Sequence, residues 1–286
     1  MILFYNIRTK CGDVMSWILQ VNSLKYSYAS KCILSDISFS VNESEIVSII
    51  GPSSCGKTTL LKLVAGLLPS SNSILFGYGY LNKKNKSDLK KIGCVMESAF
   101  VFLFDTVYQE LSFPLENLCY KKEKIENKIL ELATTFDFLD LLDKRIEDLT
   151  EEEKSILMIM LAIISDPILL ILDNPFLNFR KSTKVQFMKN FRDYCKRNEI
   201  AVLFATSNLE DILISDTTYV LNDGIFVIRG DTRLVLREDD AFKKLGLDLS
   251  FMPKLSNMLI FYEILDQIYL EPGKLVNYLW KSKSKV

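Results

Sequence analysis

Residues 46–65 read IVSIIGPSSCGKTTLLKLVA. Five mostly apolar residues with a β bias, Ile46 to Ile50, run into Gly51-Pro52-Ser53-Ser54-Cys55-Gly56-Lys57-Thr58, which fits G-x-x-x-x-G-K-[ST]. An apolar-periodic segment with Leu60, Leu61, Leu63 and Val64 follows, so the order is strand, loop, helix. Gly51 and Gly56 let the backbone curl until successive N–H groups point at phosphate oxygens, and the helix behind presents the positive end of its dipole. In that arrangement Lys57 reaches the β- and γ-phosphates of a nucleotide and the Thr58 hydroxyl ligates Mg²⁺, with Pro52, Ser53, Ser54, Cys55 and Thr59 completing the loop. The bland alternative is an ordinary Gly/Ser turn; the strand-to-helix context argues against it.

Outward from this stretch, 286 residues suit one large α/β domain with an appendage, or two small domains. Lys and Arg number 35 against 36 Asp and Glu, a net charge of -1, so no global field draws the protein to nucleic acid or anionic lipid. Six cysteines (Cys11, Cys32, Cys55, Cys94, Cys119, Cys195) lie scattered without a C-x-x-C, which reads as reduced thiols in a cytosolic protein and argues against zinc. The histidine count is 0, which removes imidazole as base, nucleophile, ligand or pH switch. Phosphate chemistry must then run on carboxylates, Lys, Thr and amides. The longest uncharged apolar run, Ile156 to Ile164, is about half the ~20 residues a membrane span needs. The opening MILFYNI is too short and wrongly flanked for a signal peptide, and residues 1–14 are expected to be a loose extension or a start-site artefact. Hydrophobic residues make up 49% and mean hydropathy is +0.15; a large doubly wound core and apolar surface kept for a partner explain this equally well.

Along the chain, WILQVNSL and ILSDISFSV flank Lys25-Tyr26-Ser27-Tyr28 and predict an antiparallel edge sheet. Ser73 to Tyr80 reads as a strand with Gly punctuation, Asn82 to Lys91 as a solvated loop or short helix, and Ile92 to Met96 as a short buried strand. Ile125, Ile129, Leu132, Ala133 and Phe136 share one face of a helix, within a mainly helical insertion from Glu97 to Ser165. Ile168 to Leu172 and Ala201 to Thr206 are continuous apolar runs, as strands covered on both faces must be. Tyr219 to Val227 is a hairpin turning at Asn222-Asp223-Gly224. The tail from Glu238 breaks at Pro253, runs helical from Ser256, breaks again at Pro272-Gly273, and offers Leu275, Leu279 and Trp280 for a contact.

A phosphate loop needs an acid at the end of a neighbouring strand to hold Mg²⁺ through water, and Asp173 follows the apolar run in that position. With Asp166-Pro167 ahead and Asn174-Pro175 behind, DPILLILDNP resembles the Walker B segment of ATP-binding cassette (ABC) ATPases, and the resemblance continues in order over most of the chain. It implies an α/β P-loop NTPase of ABC type: a parallel core sheet, an antiparallel edge sheet and a helical subdomain at about 97–165, all within residues 17–236. An N-terminal extension (1–16) and a small helical C-terminal appendage (237–286) flank it. The resemblance further implies that Tyr28 stacks on adenine and that Leu149 to Lys154 occupy the signature. Phe176 to Arg180 would then be the D-loop and Thr206 to Asp211 the switch segment that normally carries a histidine. Phe100 to Asn117, and the tail Leu245 to Leu259 followed by LVNYLW, are most similar to the ATPase subunits of energy-coupling factor (ECF) vitamin transporters. ATP and Mg²⁺ are the cofactors so implied. The implied partners are a second ABC ATPase subunit in a heterodimer and integral membrane transmembrane and substrate-binding subunits, on the cytoplasmic face of the cell membrane; nucleic acid is not among them.

The departures from the family pattern bear on activity. Asn174 stands where the catalytic Glu is expected, and an amide cannot take a proton from water. Ser207 stands at the switch histidine; Glu97 is nearest to the Q-loop Gln, where a carboxylate could ligate Mg²⁺ or repel phosphate. Arg180 replaces a D-loop acid. Glu151, Glu152 and Glu153 replace the small signature residues, and Thr150 with Glu153 forms a T-x-x-E capping box whose side chains take the N–H groups an anion would use. The expected function is an ATP-binding subunit of an ECF-type importer for a vitamin or other micronutrient, with weak or no hydrolysis of its own. The alternatives are a fully active transport ATPase, with Glu97 or a partner acid as base, and a soluble non-transport ABC protein or nucleotide-gated scaffold.

Overall fold

The computed structural model describes residues 3–4, 17–70, 73–77, 79–80, 91–96, 101–247, 249, 251–269 and 272–283. Glu97 and the polar segment 82–90 lie outside the described residues. Strands β4 (Ile46–Ile50), β8 (Leu169–Asp173) and β9 (Ala201–Thr206) are buried along their whole length, as their uninterrupted apolar sequences require. With β1 (Leu3–Phe4), β7 (Ile92–Val95), β10 (Thr217–Asn222) and β11 (Ile225–Asp231) they form a seven-stranded sheet in the order β1-β11-β10-β4-β9-β8-β7. The run from β10 to β7 is parallel, and β11 returns antiparallel to β10 through the Asn-Asp-Gly turn. Leu3–Phe4, within the stretch expected to be loose, pair in parallel with Ile228 and Arg229 of β11.

The second sheet is antiparallel, ordered β3 (Lys31–Asn42), β2 (Trp17–Tyr28), β5 (Ile74–Phe76), β6 (Gly79–Tyr80). Here one expectation is corrected: Ser73 to Tyr80 is not one strand but a short hairpin, because the chain leaves β2 at Gly77 and pairs Leu75 with Tyr80 and Phe76 with Gly79. Helix α1 (Lys57–Val64) packs on β8 and β9, and an apolar cluster of Leu60, Leu61, Val41, Val47 and Leu203 joins the two sheets.

Helices α2 (Val107–Asn117), α3 (Lys122–Thr135) and α4 (Glu151–Ile163) make up the helical part. The stripe read from the sequence is its core: Ile125, Ile129, Leu132, Ala133 and Phe136 are all buried, in one cluster with Phe176, Phe187 and Phe191. The last two lie on α5 (Lys181–Arg197). Beyond β11 come α6 (Thr232–Val235), α7 (Asp239–Lys244), α8 (Phe251–Phe261) and α9 (Pro272–Lys283). Pro253 does not break a helix; it sits in the first turn of α8, where its missing N–H has no partner to lose. Leu275, expected to be available for contact, is buried; Trp280 is exposed. Among the described residues the apolar composition goes both into three buried clusters and into an outer tail surface with Phe251, Met258, Phe261 and Trp280 in solvent.

At the end of the sheet away from the loop, Asp216 gathers three donors. Its carboxylate accepts the Ile46 N–H at 2.9 Å, Lys196 Nζ at 2.6 Å and Arg192 Nη2 at 2.7 Å. Burial would raise this carboxyl, but the Lys196, Ile46 and Arg192 contacts outweigh it and hold the group below the usual aspartate range. A depressed value means that the stabilisation is complete above the ordinary pKa of about 3.9 and is lost as pH falls through the folded value. Asp216→Asn should cost about 2 kcal/mol at neutral pH and flatten the acid limb of a stability-against-pH curve measured by urea denaturation. Wild-type and variant curves that stay parallel below pH 4 would contradict this.

Candidate functional site

β4 delivers the chain to Gly51, where only glycine passes: a Cβ there would lie 2.1 Å from the carbonyl oxygen of Leu221 in β10 and 2.8 Å from Cys55 Sγ. The loop then turns through Ser54 (φ 63°) and Gly56 (φ 109°), the second a left-handed conformation that glycine adopts without strain. Gly56 is the N-cap of α1; it makes no side-chain cap and no acid stands in the first turn, so the positive end of this helix is left for an external anion. Ser53 and Ser54 face solvent at the rim, while Pro52, Thr58 and Thr59 are half-buried. Lys57 is only 6% exposed. Its ammonium folds back over the loop, donating to Gly51 O at 2.8 Å and Pro52 O at 2.7 Å, with Cys55 Sγ at 3.9 Å. Burial pushes the Cys55 thiol up, against the pull of Lys57, so Cys55 serves as a neutral wall.

Thr58, on the first turn of α1, donates its hydroxyl to Asp173 Oδ2 at 2.7 Å. The carboxylate reaches it from the end of β8, two strands from β4, and is 2% exposed. Its charge, after burial itself, helps push the nearby Cys94 thiol up to about 11. A hydroxyl and a carboxylate are hard oxygen donors of the kind Mg²⁺ takes when it keeps waters and binds phosphate. The cradle walled by Gly51 and Gly56, the cation and this oxygen pair therefore fit a Mg²⁺–nucleoside triphosphate, with Lys57 toward the phosphates and Thr58 and Asp173 toward the ion.

Tyr28 ends β2 opposite Lys31, on the hairpin whose next residues, Ile33 and Leu34, touch the position of a Gly56 Cβ. Ser35 N–H donates to Gly224 O at 2.8 Å, drawing the β10–β11 turn to the same place. The Tyr28 ring is 46% exposed and braced edge-on by Tyr26, centroids 5.0 Å apart. It is presented as a stacking surface would be.

Asn174 follows Asp173 in a left-handed conformation (φ 47°), its N–H donating to Ala205 O at 2.9 Å. Ser207 is exposed just beyond β9. Its turn is pinned from both sides: Thr206 donates its hydroxyl to Asp211 Oδ2 at 2.6 Å and accepts the Asn208 N–H at 3.0 Å. Asp211 is paired with Lys184 of α5 at 2.5 Å, both under 10% exposed. Burial raises the Asp211 carboxyl against the opposing pull of Lys184 and Thr206. The sequence offered no sign of Lys184's role, since a lysine on a polar helix reads as solvated.

The capping box forms as read: Glu153 N–H donates to Thr150 Oγ1 at 3.2 Å and Thr150 N–H to Glu153 Oε2 at 2.6 Å. The three glutamates are not equivalent, however. Glu151 is out in solvent, paired with Lys154 at 2.9 Å, while Glu152 turns inward and is 6% exposed. Its carboxylate takes Arg180 Nε at 2.6 Å and the Thr183 hydroxyl, so it supplies to the start of α5 the acid that this helix lacks in its own first turn. Burial pushes Glu152 up, but the Thr183 and Arg180 contacts win and leave it below the usual glutamate range. Arg180, read from the sequence only as a missing D-loop acid, is thus the partner of a buried signature-position glutamate.

The chain is similar to known proteins. A family model described as ABC transporter matches residues 34–177, about half the chain. The spermidine/putrescine import ATP-binding protein PotA of Haemophilus influenzae is 29% identical over 227 residues, 78% of this chain but only 60% of PotA. The energy-coupling factor transporter ATP-binding protein EcfA1 of Methanospirillum hungatei is 27% identical over 247 residues, 85% of this chain and 89% of EcfA1. Among solved structures, cbiO1 of Clostridium perfringens, described as part of the ABC transporter complex cbiONQ, superposes with a TM-score of 0.72 at 26% identity, covering 81% of this chain and 95% of that one. The phosphate loop, the acid beside it and the two-sheet frame that joins them therefore place this chain in the ABC transporter ATP-binding family.

Proposed function

We propose that the chain is the nucleotide-holding ATPase subunit of an ECF-type importer for a vitamin or other micronutrient. It binds Mg-ATP on residues 51–59 with Tyr28, Thr58 and Asp173, pairs with a second ABC ATPase, and hydrolyses little or nothing itself. The observation that carries this is the Thr58–Asp173 contact followed immediately by Asn174: two hard oxygen donors stand side by side as an ion would need them, and the next residue offers no base. The likeness to EcfA1 over nearly its whole length supports the ECF assignment.

A surface on the helical part suits a membrane subunit. Val101 and Leu103 stand 79% and 67% exposed, yet their segment is rigidly held: buried Glu110 accepts the N–H groups of Leu103 and Phe104, each at 2.9 Å. Beside it opens a cavity of about 330 Å³ lined by Phe102, Phe104, Arg145 and Lys154 among others. An ordered apolar ridge beside a hollow with a charged rim is what a short helix from a membrane protein would seat against. No described helix of this chain is long and apolar enough to cross a membrane. Peripheral attachment on the cytoplasmic face is part of the same proposal and rests on the family likeness.

Purified chain should bind a fluorescent ATP analogue in a Mg²⁺-dependent manner while releasing phosphate no faster than its Lys57→Ala variant. Steady release that Lys57→Ala abolishes would instead establish the fully active ATPase. Absence of binding with and without Mg²⁺ would overturn the nucleotide-holding reading.

A further inference from the structure

We propose that the first turn of α5 is a two-sided clamp, with Thr183 and Lys184 as positioning residues, that ties the phosphate-loop end of the sheet to the N-terminal end of α4. The connection begins at Thr206, which pairs in register with Ile50, the last residue before the loop. From Thr206 it runs through the 2.6 Å hydroxyl bond to Asp211 and the 2.5 Å ion pair to Lys184. The next residue back, Thr183, donates to Glu152 on the first turn of α4, where Arg180 also holds.

Two features make this a clamp and not a chain of casual contacts. Consecutive residues on a helix point in different directions, so Thr183 and Lys184 can grip different neighbours from one rigid turn. The gripped groups are also buried: Asp211, Lys184 and Glu152 are all under 10% exposed. Pulling the switch turn away from α5 would strand an unpaired charge in the interior, which costs far more than moving α5 with it. A shift at Thr206 is therefore passed to α4 and not absorbed between them. Resting on the nucleotide-binding reading above, the clamp makes the start of α4 report whether the chain's own loop is filled.

Hydrogen–deuterium exchange on the full chain tests this in two arms. Without nucleotide, Lys184→Met should speed exchange about tenfold in both 206–212 and 150–156 while β8 keeps its protection, with Lys184→Arg restoring wild-type rates. Thr183→Val, a milder change that removes one hydroxyl, should loosen 150–156 alone. With Mg-ATP, wild type should gain protection at 51–58 and at 150–156, and Thr183→Val should keep only the first. Exchange in the nucleotide-free Lys184→Met and Thr183→Val variants that matches wild type at 150–156 overturns the clamp, as does ATP protection at 51–58 without any at 150–156. Loss of the nucleotide effect at both places, with the nucleotide-free pattern as described, counts against the binding reading and upholds the clamp.

Discussion

Lys57→Ala should lower Mg-ATP affinity on the order of a hundredfold while leaving the fold in place. The ammonium is the cation built into the loop: it is held over Gly51 and Pro52 by two carbonyl oxygens at 2.8 and 2.7 Å and sits at the start of a helix whose first turn carries no acid. Those carbonyls keep the charge near the mouth of the cradle without neutralising it, so that a phosphate replaces weak dipole partners with a full counter-charge. Deleting the side chain removes a charge-assisted bond and frees two loop carbonyls, which costs binding more than folding because the rim of the loop at Pro52, Ser53 and Ser54 is open to water. Calorimetry separates the two: wild type should gain melting temperature with Mg-ATP, and the variant should melt within a few degrees of ligand-free wild type and gain clearly less at the same Mg-ATP concentration. An unchanged affinity would remove Lys57, and with it the loop, from the site.

Phe176→Ala should be the most damaging single truncation in the molecule for stability, at about 3–5 kcal/mol. Phe176 is fully buried three residues after Asp173, and its ring lies edge-on to Phe179, Phe191 and Phe204 at 5.9–6.0 Å and to Phe187 at 6.3 Å. Removing it opens a ring-sized void among side chains belonging to α5, β9 and the loop after β8, which cannot all collapse into it at once. Urea denaturation should show the loss as a lower midpoint with little change in slope, and Phe176→Leu should retain more than half of it. A cost below about 1 kcal/mol would mean that the cluster repacks freely.

What the sequence disclosed was local or one-dimensional. Ile168 to Leu172 had to be a strand covered on both faces because nothing polar interrupts it, and Thr150 with Glu153 had to cap because the box needs only three residues of spacing. The stripe from Ile125 to Phe136 was legible for the same reason. Where the outcome depended on distant partners the sequence was mute. Ser73 to Tyr80 satisfies the strand pattern, and only the competition between β2 and β6 for its edges makes it a hairpin. Pro253 is a breaker in isolation and a first-turn residue once α8 begins at Phe251. Glu152 was counted with its neighbours as a signature replacement; that it alone turns inward depends on Arg180 and Thr183, 28 and 31 residues further on. Lys184 and Asp211 find each other only through the packing of α5 against the end of β9.

The backbone at Asn174 has a consequence for the history of this site. A left-handed conformation is more common for asparagine than for glutamate, yet Glu199 (φ 56°) and Glu263 (φ 58°) hold it in this same chain, so backbone strain sets only a small barrier to a carboxylate at position 174. The bond from this turn to β9 is made by the backbone N–H of residue 174, so either side chain would keep it.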